Sequence, residues 1–375
     1  MIHITRFRRK ASMRKTSLFL LIGFSLAALL VGCVDGPIYK SGEHDGETST
    51  NFNGEVFVNR EPMSKSPLDM MRLSLGVITQ AESWPALIEN TPADIPAARV
   101  YEGIRVTYVN HATVLIQVAG LNILTDPIYS ERASPFSFAG PKRIRAPGVK
   151  LEDLPPIDVI LISHNHYDHL DTETLKNLAS QQSTEPLVLA GLGVGKLLSE
   201  IGLKKTVDMQ WDQVEVLEQF EFVFVECRHR SGRGISDQMK TLWGSFVIKT
   251  PEGNIYFAGD TGYGPHLKEH GEQFGPYALS ILPIGAYEPR WFMADVHLNP
   301  EEAVQAHIDL NSKQSLSIHF GVFQLTYEAV DQPEQDLAAA LLKAKIDMEA
   351  FWTLLPGEAK SLSGASLDDS ERNSR

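Results

Sequence analysis

The segment ILISHNHYDHLD, residues 160–171, sets three histidines and two aspartates within eight positions, directly after an aliphatic run. Histidines beside carboxylates are poor core material, because buried polar groups need partners. The run before them, Asp158 to Ile162, reads as a short buried strand. The chain beyond the histidines reads as a helix start, with Asp171 as N-cap and Leu170 and Leu175 as a hydrophobic staple. His164, His166, Asp168 and His169 are therefore expected on a loop at the carboxyl end of a strand, pinned by a capped helix. Loops held this way on α/β scaffolds carry chemistry. Four ligand-type side chains at this spacing point to a metal rather than to a merely solvated loop.

A metal loop needs further ligands, and three later strand ends offer them. Cys227-Arg228-His229 follows the strand-like EFVFVE, FAGDTG ends a strand at Asp260 in a Gly-flanked turn, and SLSIH ends another at His319. Carboxyl ends of neighbouring strands converge on one edge of a sheet, where open α/β folds hold ligands.

The 375 residues suffice for one large domain or two ordinary ones, and 43% hydrophobic against 22% charged residues is the balance of a protein with a core. A net charge of −13, with basic residues dispersed beyond the first fifteen positions, argues against nucleic-acid binding. Those first positions hold Arg6, Arg8, Arg9, Lys10, Arg14 and Lys15, and the apolar stretch Ser17 to Val31 follows. This reads as a secretory signal, with Met13 opening a more compact version of it. Its end, Leu30-Val31-Gly32-Cys33, resembles the lipobox of bacterial lipoproteins, so residues 1–33 are expected to be a lipoprotein signal and Cys33 the lipid anchor. Val34 in place of aspartate resembles the sorting pattern for the outer membrane. With Cys33 lipidated, only Cys227 remains, so no internal disulfide is expected.

Residues 34–66 read as a flexible tether, polar and rich in Gly, Ser, Thr and Asn to about Asn59. Leu68, Met71, Leu75 and Ile78 fall at helical spacing, a face expected to pack on its own domain. From Ile104 the pattern turns to short strands, among them 104–109, 113–118, 187–190, 214–217, 221–226, 245–250, 254–258 and 279–283. Helices are expected at 171–181, 193–201, 265–272, 300–310 and 334–346. Strands and helices mixed without strict alternation suggest two sheets with helices outside. One catalytic domain over residues 67–360 and a disordered tail at 361–375 complete the expected organisation.

SHNHYDHLD, His229, FAGDTGY and IHFG resemble the metal motifs of the metallo-β-lactamase superfamily, and most closely its N-acyl-phosphatidylethanolamine-hydrolysing phospholipase D family. PIGAYEPRWFM, PEEAV and LNILTDPIYSERASPFSFAGPKR extend the resemblance over about residues 100–358. It implies an αββα sandwich with a dinuclear centre, in which His164, His166 and His229 bind one ion, Asp168, His169 and His319 the other, and Asp260 bridges them. Five imidazoles and two carboxylates without a thiolate suit Zn²⁺, with Mn²⁺ or Fe as alternatives. Two divalent ions outweigh the two aspartates, leaving positive charge for an anionic phosphodiester, and bring bound water toward a pKa of ~7. The activity implied is cleavage of N-acylphosphatidylethanolamine-like lipids to phosphatidic acid and N-acylethanolamine, with Asp168 and His297 as catalytic candidates. His297, in ADVHLNPEEAV, matches a family histidine at the mouth of the site, and a plain helix-approach histidine is its alternative. Beside it Val296 stands where a polar residue is expected. His111 follows Asn110 where the family usually has Gly, and is either support for the metals or a satisfied core histidine. Arg290 and Trp291 line the pocket or pack a turn, and Cys227 is structural. Other hydrolases of this scaffold, such as a lactonase or a nucleotide phosphodiesterase, are the rival readings, together with a non-catalytic metal-binding envelope lipoprotein.

Overall fold

Alternation along the strand Val159–Ile162 explains the layering. Val159 and Leu161 enter a core shared by two sheets, while Ile160 and Ile162 face the opposite way, onto helices. Side chains of a strand point to alternate faces, so a run buried on both sides is continuously apolar.

The computed structural model describes residues 44, 46–63, 65–90, 93–234 and 236–363. The lipoprotein signal of residues 1–33, with Met13 and Cys33, lies outside the described residues. So do residues 34–43 of the expected tether and 364–375 of the expected tail.

The first sheet holds β1 (Ile104–Asn110), β2 (Thr113–Val118), β3 (Leu121–Thr125), β4 (Val159–Ile162), β5 (Leu187–Gly191) and β6 (Thr206–Met209) in chain order, with β14 (Ala359–Leu362) beside β1. The second runs from β7 (Val214–Leu217) through β8 (Phe220–Val225), β9 (Ser245–Lys249), β10 (Asn254–Phe257), β11 (Tyr277–Pro283) and β12 (Ser315–Ile318) to β13 (Phe351–Trp352). Both sheets are antiparallel on one side and parallel on the other, the change falling at β3–β4 and at β10–β11. Helices α2 (Thr172–Gln181) and α3 (Val194–Glu200) cover the first sheet through Leu175, Leu178, Leu197 and Leu198. On the second sheet, α4 (Pro300–Asp309) and α5 (Gln332–Ala344) pack Ala303, Ala306, Leu337 and Leu341 into the main core. The architecture is the expected αββα sandwich. Asp171 caps α2 by accepting from the Glu173 N–H, and Leu170 and Leu175 are both buried in the outer cluster, as the staple requires.

Three expectations are corrected. The segment expected to be a tether is packed from its middle onward: Phe52 and Phe57 are buried in the main core, and Asn51 and Asn59 are buried beside them. Its polar composition conceals two aromatic anchors. Next, α1 (Pro67–Thr79) does not bury the face marked by Leu68, Met71 and Leu75, which are 66%, 51% and 48% exposed. The helix docks through another side. The Tyr327 hydroxyl donates to the Leu73 carbonyl at 3.3 Å, and a Cβ on Gly76 would lie 1.4 Å from that hydroxyl oxygen. Last, chain order continues past Lys360, since Ser361 and Leu362 pair with Arg105 and Ile104.

Candidate metal centre

Strand ends at one edge of the sandwich deliver the site. His164 to His169 follow β4, Asp126 follows β3, His229 follows β8, Asp260 follows β10 and His319 follows β12. His111 sits in the turn joining β1 and β2, and its carbonyl accepts from the His319 N–H at 2.8 Å. His111, Asp126 and His319 take φ of 47°, 33° and 64°. Left-handed backbone at residues other than glycine costs on the order of 1–3 kcal/mol each and gathers at functional sites. Gly259, at φ 58°, meets a different demand: a Cβ there would lie 2.4 Å from the Ser163 Cβ, so the Asp260 turn approaches the histidine loop only as glycine.

Two groups of ligand atoms face one space. His166 Nδ1 lies 2.8 Å from His164 Nε2 and 3.3 Å from His229 Nε2. Asp168 Oδ2 lies 3.4 Å from His169 Nε2 and 3.3 Å from His319 Nε2. Between the groups stands Asp260. Its Oδ2 is 3.1 and 3.2 Å from His169 and His319 Nε2, and 4.0 and 3.8 Å from His164 and His229 Nε2. A tetrahedral site with metal–nitrogen bonds of ~2.0–2.1 Å separates its ligand atoms by about 3.4 Å. The Asp168 group has this spacing, and the His166 group has it toward His229 but is tighter toward His164.

Hydrogen bonds behind the rings decide which nitrogens face inward. Ser163 Oγ donates to Asp126 Oδ2 at 2.6 Å and so accepts from His164 Nδ1 at 2.9 Å. His169 Nδ1 donates to Asp126 Oδ2 at 2.7 Å, and His229 Nδ1 to the Val296 carbonyl at 2.9 Å. All three rings thus carry their proton on Nδ1 and present an Nε2 lone pair to the centre. His169 Nε2 and Asp260 Oδ1 are buried and make no hydrogen bond. Buried acceptors converging without a donor are what a cation satisfies, and the His and Asp clusters are suited to hold metal ions.

The electrostatics are divided in the same way. Burial pushes His164 and His166 well below the ordinary imidazole range, with neighbouring imidazoles adding to it, and takes His229 down to about 4. Burial also opposes the charge on His169 and His319, but Asp260 and Asp168 prevail, lifting His169 well above its ordinary value and His319 to about 9. Asp168 and Asp260 resist burial likewise, and His169 with its neighbours holds both well below the carboxylate range. His164, His166 and His229 are thus held neutral and Asp168 and Asp260 ionised, the states that ligands need, while the two carboxylates draw onto His169 and His319 the positive charge that a bound cation would replace.

The structure brings together all seven metal-ligand candidates, and His297 with them. His297 is buried, with Nε2 3.9 Å from Asp260 Oδ2 and an Nδ1 that makes no hydrogen bond. His111 donates from Nε2 to Asp168 Oδ2 at 3.0 Å, a contact that fits support for the centre. Arg290 packs a turn: it is tied to Glu302 and to the carbonyls of Tyr287 and His297. Trp291 is 40% exposed with the Arg72 guanidinium 4.4 Å over its ring. Cys227 is buried, donates to the Asp260 carbonyl at 3.3 Å, and its thiol is pushed well up by burial.

Sequence reasoning missed three supporting residues. Asp126 ends a strand with a carboxylate, the same signal that exposed Asp260. Arg233 donates to the carbonyls of Asn165 and Leu170 at 3.0 and 2.8 Å and covers the Tyr167 ring at 3.9 Å, bracing the histidine loop. Asn59, far upstream, touches His229, and no local pattern announces it.

Comparison with known proteins agrees with this geometry. Residues 121–320 match the model of the β-lactamase superfamily domain. The N-acyl-phosphatidylethanolamine-hydrolyzing phospholipase D 1 of Caenorhabditis elegans is 36% identical over 271 residues, 68% of this chain and 75% of that protein. The outer membrane protein RomA of Klebsiella pneumoniae is 41% identical over 108 residues, 29% of this chain and 80% of that protein. Among solved structures, an isothiocyanate hydrolase from Delia radicum gut bacteria shares the fold at a TM-score of 0.57 and 20% identity, covering 69% of this chain and 100% of that one.

Proposed function

Because the chain belongs to the β-lactamase superfamily, within the family of the N-acyl-phosphatidylethanolamine-hydrolysing phospholipases D, we propose that this metallo-hydrolase is a dinuclear phosphodiesterase of phospholipase D type. Its substrate in this reading is an N-acylated phosphatidylethanolamine, cleaved to phosphatidic acid and an N-acylethanolamine. The observation that carries the reading is Asp260 Oδ2, which lies within 4.0 Å of inward-facing nitrogens from both ligand groups. His164, His166 and His229 would hold one ion, Asp168, His169 and His319 the other, and Asp260 both, with Zn²⁺ the best match to the donors. Bound there, the ions supply a water nucleophile at neutral pH and neutralise charge on the phosphoryl group.

The chain's own residues do the rest. Asp168, in contact with three imidazoles, keeps its negative charge and orients His111 and His319. His297, whose Nε2 lies 3.9 Å from Asp260 Oδ2, would hold a phosphate oxygen or pass a proton to the leaving alcohol. Arg230 adds positive charge beside His166 and His229, with its guanidinium 5.9 Å from the Phe292 ring centroid. Exposed Leu68, Met71 and Leu75, on the helix whose Arg72 covers Trp291, support a lipid substrate. We assign the protein to the cell envelope, anchored in the outer membrane through Cys33. Tethering raises the effective concentration of a membrane substrate, and the likeness to RomA supports this assignment.

The test is turnover of a panel of defined phospholipids by metal-loaded protein, with metal analysis of the same sample. Chelator-sensitive release of phosphatidic acid from the N-acylated lipid is expected. Turnover of bis(p-nitrophenyl) phosphate without any lipid cleavage would remove the lipid substrate, and inertness toward both would remove the phosphodiesterase. Cys33→Ser should abolish lipid labelling of the full chain, and unchanged labelling would exclude the anchor.

A further inference from the structure

His229 stands four residues beyond the end of β8, past the reach of that strand's ladder, and is 1% exposed. Its backbone N–H and C=O are buried and need partners from elsewhere. Both come from one side chain. Asn59 Nδ2 donates to the His229 carbonyl at 2.8 Å, and the His229 N–H donates to Asn59 Oδ1 at 3.2 Å. The same Oδ1 accepts from Trp243 Nε1 at 3.3 Å, and that indole also donates to the Cys227 carbonyl at 3.1 Å. A primary amide, with donor and acceptor side by side, completes this pattern; a carboxylate has no donor and alanine neither group.

We infer that Asn59 is a positioning residue for metal binding, the tip of an N-terminal strap that sets where His229 stands. The inference rests on the dinuclear reading, in which His229 is a ligand. The Val296 carbonyl fixes the rotation of the His229 ring through Nδ1, and Asn59 fixes the backbone that carries it. Metal ligands tolerate displacements of only about 0.2 Å. The strap itself is held independently of the site. Phe52 and Phe57 enter the main core, the Phe57 N–H donates to the Met239 carbonyl at 2.8 Å, and Asn51 exchanges amide bonds with Gln210 at 2.8 and 3.1 Å. On the other flank Arg60 pairs with Glu226 and Glu269.

The experiment compares Asn59→Ala, Asn59→Asp and Asn51→Ala in the chain that retains the strap. The affinity of each Zn²⁺ is read by chelator competition, and the coordination of Co²⁺ by its absorption spectrum. Asn59→Asp keeps the shape and the acceptor for the His229 N–H but sets a second acceptor against the His229 carbonyl, whereas Asn59→Ala removes both groups without adding charge, so either variant that folds answers the question. Asn51→Ala loosens the strap at Gln210 without touching His229. Both Asn59 variants should bind one of the two ions about 10–100-fold more weakly, the scale for residues that orient ligands. The other ion should be unaffected, and Asn51→Ala should lose melting temperature with both affinities intact. Unchanged affinities in the Asn59 variants, or equal losses in Asn51→Ala, would overturn the inference. A parent protein that binds fewer than two ions would overturn the dinuclear reading, and the inference with it.

Discussion

Asp126 shows how a residue outside the ligand set governs it. Its two oxygens meet three donors: the Ser163 N–H at 2.8 Å, the Ser163 hydroxyl at 2.6 Å and His169 Nδ1 at 2.7 Å. Asn has a single acceptor oxygen, so Asp126→Asn sets an N–H against a donor whichever way the amide turns. Turned toward His169, the amide N–H releases the His169 tautomer and with it the inward Nε2 lone pair; turned away, it opposes the Ser163 N–H and displaces the start of the loop that carries His164. We expect metal affinity about 10–100-fold lower and a stability loss of about 1–3 kcal/mol, read by chelator competition and thermal melting. Full metal content in this variant would leave Asp126 a bystander. Asp260→Ala tests the other extreme. Removing the oxygen common to both groups should cost most of both ions, and retention of two ions per chain would refute a shared ligand. At this scale the legible residues were those whose meaning lies in their neighbours in sequence, as with His164, His166, Asp168 and His169. Asn59 was illegible because its partner lies 170 residues away, whereas Asp126 carried the strand-end signal and lacked only the ligand-rich neighbours that would have made it stand out.

Elements were legible where a period ran long enough to read. The helix expected at 171–181 forms at Thr172–Gln181, and that at 300–310 forms at Pro300–Asp309. Both carry an N-cap that the sequence displays, Asp171 and Asn299. The short strands Thr206–Met209 and Ala359–Leu362 went unread, being half-exposed edges whose pairing rather than pattern makes them strands. The strap was misread for a different reason. Between Ser49 and Asn59 its composition is polar, and two phenylalanines do not make a period; their meaning appears only once the core they enter exists. This predicts a cost that a tether would not have. Phe57 is fully buried and packs at a tilt against Phe52, ring centroids 4.8 Å apart, so Phe57→Ala should destabilise the protein by about 3–5 kcal/mol. Thermal or denaturant unfolding checks this, and an unchanged midpoint would restore the segment to a tether.

At the scale of the molecule, the site lies on the seam between two sheets that share one core. The first sheet delivers Asp126 and the 164–169 loop, the second His229, Asp260 and His319. Ions bound there would join the halves as well as perform chemistry, and the two roles can be separated. Binding stabilises the folded state in proportion to the logarithm of metal concentration over Kd, about 4 kcal/mol at a thousandfold excess over Kd. The inter-sheet core is built from apolar side chains that do not depend on the ions, so chelation should lower the melting temperature while leaving a folded protein. If the ions only staple the halves, Asp168→Asn should reduce stability and activity in parallel. If they act in chemistry, the two should part. Asparagine has nearly the shape of aspartate and still offers a carbonyl oxygen to His111 and His319, but it removes one negative charge and any capacity to accept a proton. The variant should therefore stay folded and keep at least one ion, while turnover of a phosphodiester falls by about 10²-fold or more, the scale of losing a positioned acid–base group. Melting temperature, metal content and rate constant belong on one preparation at matched occupancy. A variant that is folded, fully metallated and as active as the parent would show that the carboxylate at 168 contributes to neither role.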